Sequence, residues 1–157
     1  MKRNVRARPH LVVLGLLLAS CDRPAETNPA TPDPHLSTLG TIEVIAQLVE
    51  IPEGAIFQRD LYDYATVLKY RVTKVQRGKV DGDTIYVGHY NPWKPRAEAA
   101  DKRAPGIGGN LRRFEAGQTH HLALEAPIED HFMGGIVNKY FDQTTSVVYW
   151  AVWTNRD

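Results

Sequence analysis

Residues 64–90, YATVLKYRVTKVQRGKVDGDTIYVGHY, decide how this chain folds. Apolar side chains alternate through Leu68, Tyr70 and Val72, and the alternation resumes at Ile85 and Val87. A period of two turns successive side chains to opposite faces of an extended chain. Both arms therefore read as strands with one buried face, over about 64–76 and 84–90. Between them, Arg77-Gly78-Lys79-Val80-Asp81-Gly82-Asp83 contains Arg-Gly and Asp-Gly. Glycine reaches positive φ without a steric penalty, so this is a hairpin with a slightly long loop.

The same alternation extends outward. In 41–50, Ile42, Val44, Ala46 and Leu48 share one phase. In 119–125, His120, Leu122 and Leu124 share another. The last strand, 144–153, sets Val147, Tyr149, Ala151 and Trp153 on one face and Val148, Trp150 and Val152 on the other. Apolar residues on both faces mark a central strand or one with an aromatic surface. The one helix candidate, Lys94 to Ala104, is rich in alanine and charge but too short to stand alone. It lies in a long excursion ending in Gly106-Ile107-Gly108-Gly109-Asn110, expected to be a mobile surface loop. Pro105 before that run and Leu-Arg-Arg-Phe after it do not make a phosphate-cradling loop, which needs a flanking strand and helix. Five strands and one excursion predict a mainly β domain, a small antiparallel barrel or a sandwich with a short helix in a long loop.

Four stretches carry a resemblance: Tyr70-Arg-Val-Thr-Lys-Val-Gln-Arg-Gly78, Asp83-Thr-Ile-Tyr-Val87, Phe114-Glu-Ala-Gly117 and Leu122-Ala-Leu124. Their order resembles the strand grammar of netrin/TIMP-like modules, which are OB-type barrels. The resemblance implies an OB/netrin-like barrel and transfers no activity. Those modules usually carry disulfides, whereas Cys21 is the single cysteine here.

The N-terminus has a different character. Lys2, Arg3, Arg6 and Arg8 precede an apolar run from Leu11 to Leu18, then the small residues Ala19 and Ser20. This is the order of an export signal, over residues 1–20. The apolar run is far shorter than the ~18 residues a membrane span requires. Leu18-Ala19-Ser20-Cys21 resembles the bacterial lipobox. The resemblance implies cleavage before Cys21, lipid on its sulfur and attachment to a bacterial cell membrane. Asp22 resembles the inner-membrane retention signal of enteric lipoproteins. Residues 21–35 hold Pro24, Pro29, Pro32 and Pro34 and little that could pack, so they read as a lipidated cysteine and a Pro-rich tether. A single globular domain is expected over 36–157.

Charge narrows the function. Of 19 basic residues the signal removes four, leaving 15 against 18 acidic ones, a mature charge near −3 with histidines neutral. A nucleic-acid partner is not expected, because that role needs a clustered basic footprint. Ser37 and Ser146 are the only serines after the cysteine, and neither stands in a G-x-S-x-G elbow or an S-x-x-K motif. Asp60 with Asp63, or Glu129 with Asp130, could form a carboxylate pair, but sequence spacing fixes no cleft. No catalytic residue and no cofactor is assigned.

Two candidate sites remain. Lys94, Arg96, Lys102, Arg103, Arg112 and Arg113 outweigh Glu98 and Asp101, giving a local charge of +4, with His89, Tyr90 and Trp93 beside them. Aromatic planes next to guanidinium forks suit anionic or sugar-like ligands. The expected ligand residues are His89, Tyr90, Trp93, Arg96, Arg112 and Arg113. A non-enzymatic binding or accessory module follows, with an envelope protein or an anionic polysaccharide as partner. The alternative is a metal-dependent enzyme built from His89, His121 and His131, since His120 and His121 point to opposite faces of a strand. A third reading makes the domain a structural component of a membrane complex, which a wide apolar patch would favour.

Overall fold

A computed structural model describes residues 32–52, 63–132, 136–138, 141 and 146–157. The signal segment, Cys21, Asp22, the tether as far as Thr31, and Asp60 lie outside the described residues. The elements in chain order are α1 (Pro34–Thr38), β1 (Ile42–Glu50), β2 (Tyr64–Arg77), β3 (Thr84–Tyr90), a 3-10 turn (Arg96–Glu98), β4 (Thr119–Glu125), α2 (Ile128–His131), β5 (Ile136–Asn138) and β6 (Val148–Arg156).

Five strands close a ring in the order β1, β4, β6, β3, β2 and back to β1. All pairings in the ring are antiparallel except β3 with β6, which is parallel. That is the Greek-key order of an OB-type barrel. Strand β5 adds in parallel to β2 outside the ring. Strand β1 can pair on both sides because irregularities at Glu43/Val44, Ile45/Ala46 and Leu48/Glu50 bend it against β2.

The alternation read from the sequence sorts side chains into two cores. Val44, Leu48, Leu68, Tyr70, Ile85, Val87, Leu122, Leu124, Tyr149 and Ala151 belong to the first cluster, inside the ring. Each fully buried leucine there contributes about 2 kcal/mol of transfer free energy. The opposite phase of β2, β3 and β6 forms the second cluster, in which Val67, Tyr90, Val148 and Trp150 pack with Ala99, Ala104, Ile107, Ile128 and Phe132. Strand β6 is thus apolar on both faces because it is central and because the excursion and α2 cover its outer side.

The excursion differs from expectation. In place of a helix over 94–104 there is one 3-10 turn, three residues long. The Arg96 guanidinium takes the carbonyls of Tyr90, Asn91 and Lys94 at 2.8, 2.6 and 3.3 Å, so these are not free for helical ladders. Asp101 accepts from the backbone amides of Arg103 and Ala104, fixing a turn where the helix would continue. Nor is 106–110 a free surface loop. Gly108 exchanges hydrogen bonds with β6, its amide to Val152 O and its carbonyl from Thr154 N, both 2.9 Å.

The residues around α1 are also integral. Asp33 caps the helix through the His35 amide, and its other oxygen accepts from Trp153 Nε1 at 2.9 Å and Asn155 Nδ2 at 2.8 Å. The His35 ring stacks on Trp153 with centroids 4.1 Å apart. Partial burial raises the Asp33 carboxyl, but the bonds from Asn155, His35 and Trp153 hold it well below the usual carboxylate range. Arg77 closes the other end of α1 by donating to the carbonyls of Leu36, Ser37 and Leu39. Asp33, Pro34 and His35, read from sequence as the end of the tether, are therefore fastened to the barrel.

Gly109 has φ +134°, and a Cβ there would lie 1.9 Å from the Thr154 carbonyl oxygen. Gly82 has φ +84° with nothing within 4 Å of its Cβ position. Gly109→Ala should cost about 3 kcal/mol in urea unfolding, and Gly82→Ala only about 1 kcal/mol. Equal losses would show that the excursion does not press on β6 as described.

Candidate functional site

Inside the ring, the buried hydroxyl of Tyr70 on β2 bridges two imidazoles. It lies 3.1 Å from His89 Nε2 on β3 and 3.0 Å from His120 Nδ1 on β4. Phe114 packs against both rings, with centroids 4.6 Å from His89 and 5.6 Å from His120. The Arg96 guanidinium lies 5.2 Å from the centre of the same phenyl ring.

Hydrogen-bond chemistry fixes the direction of this chain. Glu115 is held ionised by Arg113, so it can only accept. Gln118 Nε2 donates to it at 2.9 Å, which turns Gln118 Oε1 toward His120 Nε2 at 3.2 Å. His120 Nε2 must then carry the proton, its Nδ1 is bare, and Tyr70 must donate to it. The Tyr70 oxygen is left to accept from His89 Nε2–H. The remaining His89 Nδ1 is a buried acceptor, and Arg96 Nε a buried donor, without a partner among the described residues.

Burial, with Arg96 and His120 nearby, lowers His89 well below the ordinary imidazole value. Burial and the charge of Arg156 lower His120 to about 4. Burial also lowers Arg96 to about 10, so it stays charged at neutral pH. The interior is one buried cation beside neutral imidazoles, and it is sealed: His89 and His120 have no exposed surface.

A cleft of about 450 Å³ is lined by Asn110, Leu111, Arg112, Arg113, Glu115, Gln118 and Arg156. This is within the usual size range of small-ligand sites. Three arginines and one carboxylate, Glu115, line the cleft, and Arg113 donates to Glu115 through Nε at 2.8 Å and through Nη2. Asp157 follows Arg156 in sequence without lining the cleft. The walls are braced by reciprocal asparagines: Asn110 N donates to Asn155 Oδ1 at 2.8 Å, and Arg156 N donates to Asn110 Oδ1 at 2.9 Å. Gln118 belongs both to the cleft and to the interior chain.

The six expected ligand residues are therefore divided. Arg112 and Arg113 line the cleft. His89 and Arg96 are in the barrel interior. Tyr90 is buried in the second core with its hydroxyl donating to Asp101 at 2.7 Å, and Trp93 packs on Tyr64 with centroids 4.6 Å apart. Asn110, Leu111, Glu115, Gln118 and Arg156, which complete the cleft, were not among the expected ligand residues. They lie at the chain end and beside turns, where no periodicity marks them.

The alternative metal set is not brought together. His89 is inside the ring, His121 turns to the opposite face of β4 and bonds Glu43 at 2.8 Å, and His131 on α2 faces Glu125 at 3.8 Å. Among the described residues no group of three or more His, Cys, Asp or Glu is placed to hold a metal ion.

No family model, curated protein or solved structure matches this chain.

Both interior histidines bind fewer protons folded than unfolded in mildly acidic solution. The stability this contributes is complete above the unfolded imidazole value near 6.5 and is lost as pH falls toward the folded value of about 4 for His120. The loss from His120 alone should approach roughly 3 kcal/mol, seen as a falling urea midpoint. His120→Gln should flatten that slope, and an unchanged slope would contradict a neutral His120. Tyr70→Phe leaves two imidazole nitrogens unpartnered and should cost about 2 kcal/mol at pH 7, read by the same measurement.

Proposed function

We propose that this protein is a lipid-anchored binding module of the bacterial cell envelope, and that its cleft takes an anionic group. The observation that carries the binding reading is the concentration of Arg112, Arg113 and Arg156 around one cleft of a mature chain with fewer basic than acidic residues. Guanidinium forks match the two-oxygen geometry of carboxylate and phosphate. The brace through Asn110 and Asn155 holds the backbone that presents them, so little ordering accompanies binding. The partners in view are an anionic polysaccharide or an envelope protein with an acidic surface. The anchor rests on the basic start, the apolar run and Leu18-Ala19-Ser20-Cys21.

No observation favours the other readings. The three histidines of the metal alternative stand in separate surroundings. The large apolar side chains exposed among the described residues are Val49, Val75 and Val147. Val75 pairs near Val44 while Val49 is five residues further along β1, so these two do not make one patch.

Calorimetric titration with an acidic oligosaccharide and with inorganic phosphate tests the cleft. Binding should weaken about tenfold or more in the variant carrying Arg112→Gln and Arg156→Gln, and should weaken with added salt. Equal binding by variant and wild type would remove the cleft from the proposal. For the anchor, metabolic labelling with a fatty acid should mark the wild type and not Cys21→Ala. Equal labelling would sink it.

A further inference from the structure

The place where the tether leaves the domain bears on what the cleft meets. Asp33 is fastened to Trp153 and Asn155 on β6. Asn155 in turn holds Asn110, and Asn110 holds the amide of Arg156. Asn110 and Arg156 line the arginine cleft. One side chain, Asn155, thus links the tether's exit point to the cleft wall, through bonds of 2.8 Å on each side. Helix α1, pinned at both ends by Asp33 and Arg77, prevents the exit point from swinging away.

Chain length does the rest. Between Cys21 and Asp33 stand eleven residues, 22–32. At full extension they reach at most roughly 40 Å, and in the extended polyproline geometry that the prolines favour roughly 35 Å. If Cys21 carries lipid, its chain joins the described domain at Pro32 and Asp33, so the covalent link attaches at the end that Asp33 marks. The arginines stand at that same end. A site for a polymer approaching from outside would be better placed at the end remote from the tether.

We propose that the cleft-bearing end of the barrel rests on the membrane that holds Cys21, and that Arg112, Arg113 and Arg156 take the phosphate groups of anionic lipid headgroups. This rests on the anchored, anion-binding reading given above and names the source of the anion. Arginine suits it, because its weakly hydrated fork engages two phosphate oxygens at once. Anionic headgroups also concentrate the ligand at the surface, so a weak individual contact suffices once the tether supplies a high local concentration.

The test uses the full lipidated protein, with the mass of its N-terminal peptide reporting lipid on Cys21. It is reconstituted into vesicles of phosphatidylcholine alone, or with about 30% phosphatidylglycerol. Amide hydrogen exchange of residues 110–118 is followed by mass spectrometry. Exchange should slow about fivefold or more with phosphatidylglycerol, and the slowing should vanish when Arg112, Arg113 and Arg156 are all glutamine. The variant's thermal midpoint in detergent shows that it remains folded. Equal exchange in the two vesicle types, or slowing that survives the triple substitution, overturns the proposal. If inorganic phosphate or an acidic oligosaccharide protects 110–118 in phosphatidylcholine vesicles while phosphatidylglycerol does not, the cleft binds a soluble anion and the membrane seat is wrong. Protection by none of the three anions overturns the anion-binding reading itself, and absence of lipid mass overturns the anchor.

Discussion

The Arg96 guanidinium, buried among carbonyls without a carboxylate partner among its described contacts, is the constraint on which the rest depends. It gathers the carbonyls of Tyr90, Asn91 and Lys94, and its own amide donates to Leu111 O at 2.8 Å. The two ends of the excursion are thereby tied together beside the barrel. Leu111 is held where its successors, Arg112 and Arg113, reach the cleft. A lone cation in the interior also explains the neighbouring histidines: a protonated imidazole would add a second positive charge to a region with little solvent to screen it. Arginine is suited to this position because it keeps its charge where a buried lysine would shed it.

The interior chain and the cleft are one hydrogen-bonded system. Glu115 sets the orientation of Gln118, and Gln118 sets the tautomer of His120, which sets the direction of Tyr70 and His89. The consequence for the cleft is rigidity. Gln118 is held from both sides, and Asn110 is braced by β6. The arginine side chains therefore work from a fixed frame, and the ordering cost of a bound anion falls on the guanidinium groups alone.

The barrel was legible in the sequence because period-two alternation survives through β1 to β4. In β6 it holds only as far as Ala151, where a register shift against β4 takes Trp153 off the face of Tyr149 and Ala151. The phases of Ile42–Leu48, Leu68–Val72, Ile85–Val87 and His120–Leu124 placed the interior residues correctly, and the two apolar faces of β6 announced its central position. The excursion was not legible in the same way. Ala99 and Ala104 looked like helix formers, yet they are buried outside any helix, since Arg96 and Asp101 use the local backbone groups for tertiary bonds and turns. The site was legible only in part. Arg112 and Arg113 stood in a basic cluster that sequence reading could find, but that cluster also contained Arg96, whose charge serves the fold. Arg156 is distant in sequence and joins them through the pairing of β6 with β4, where His120 faces it, and through its bond to Asn110. Asp33 and His35 look like tether because prolines surround them; the bonds of Asp33 to Trp153 and Asn155 and the stacking of His35 on Trp153 span more than a hundred residues of sequence.

Arg96 holds the fold, whereas Arg112, Arg113 and Arg156 line the cleft for an anion, Arg113 sharing its fork with Glu115. Side-chain Nε resonances of the isotopically labelled protein, followed by NMR during titration with inorganic phosphate, separate the two roles directly. Saturable shifts are expected at Arg112, Arg113 and Arg156, with Arg96 stationary. Shifts at Arg96 of similar size, or no saturable shift at the three cleft arginines, would contradict it.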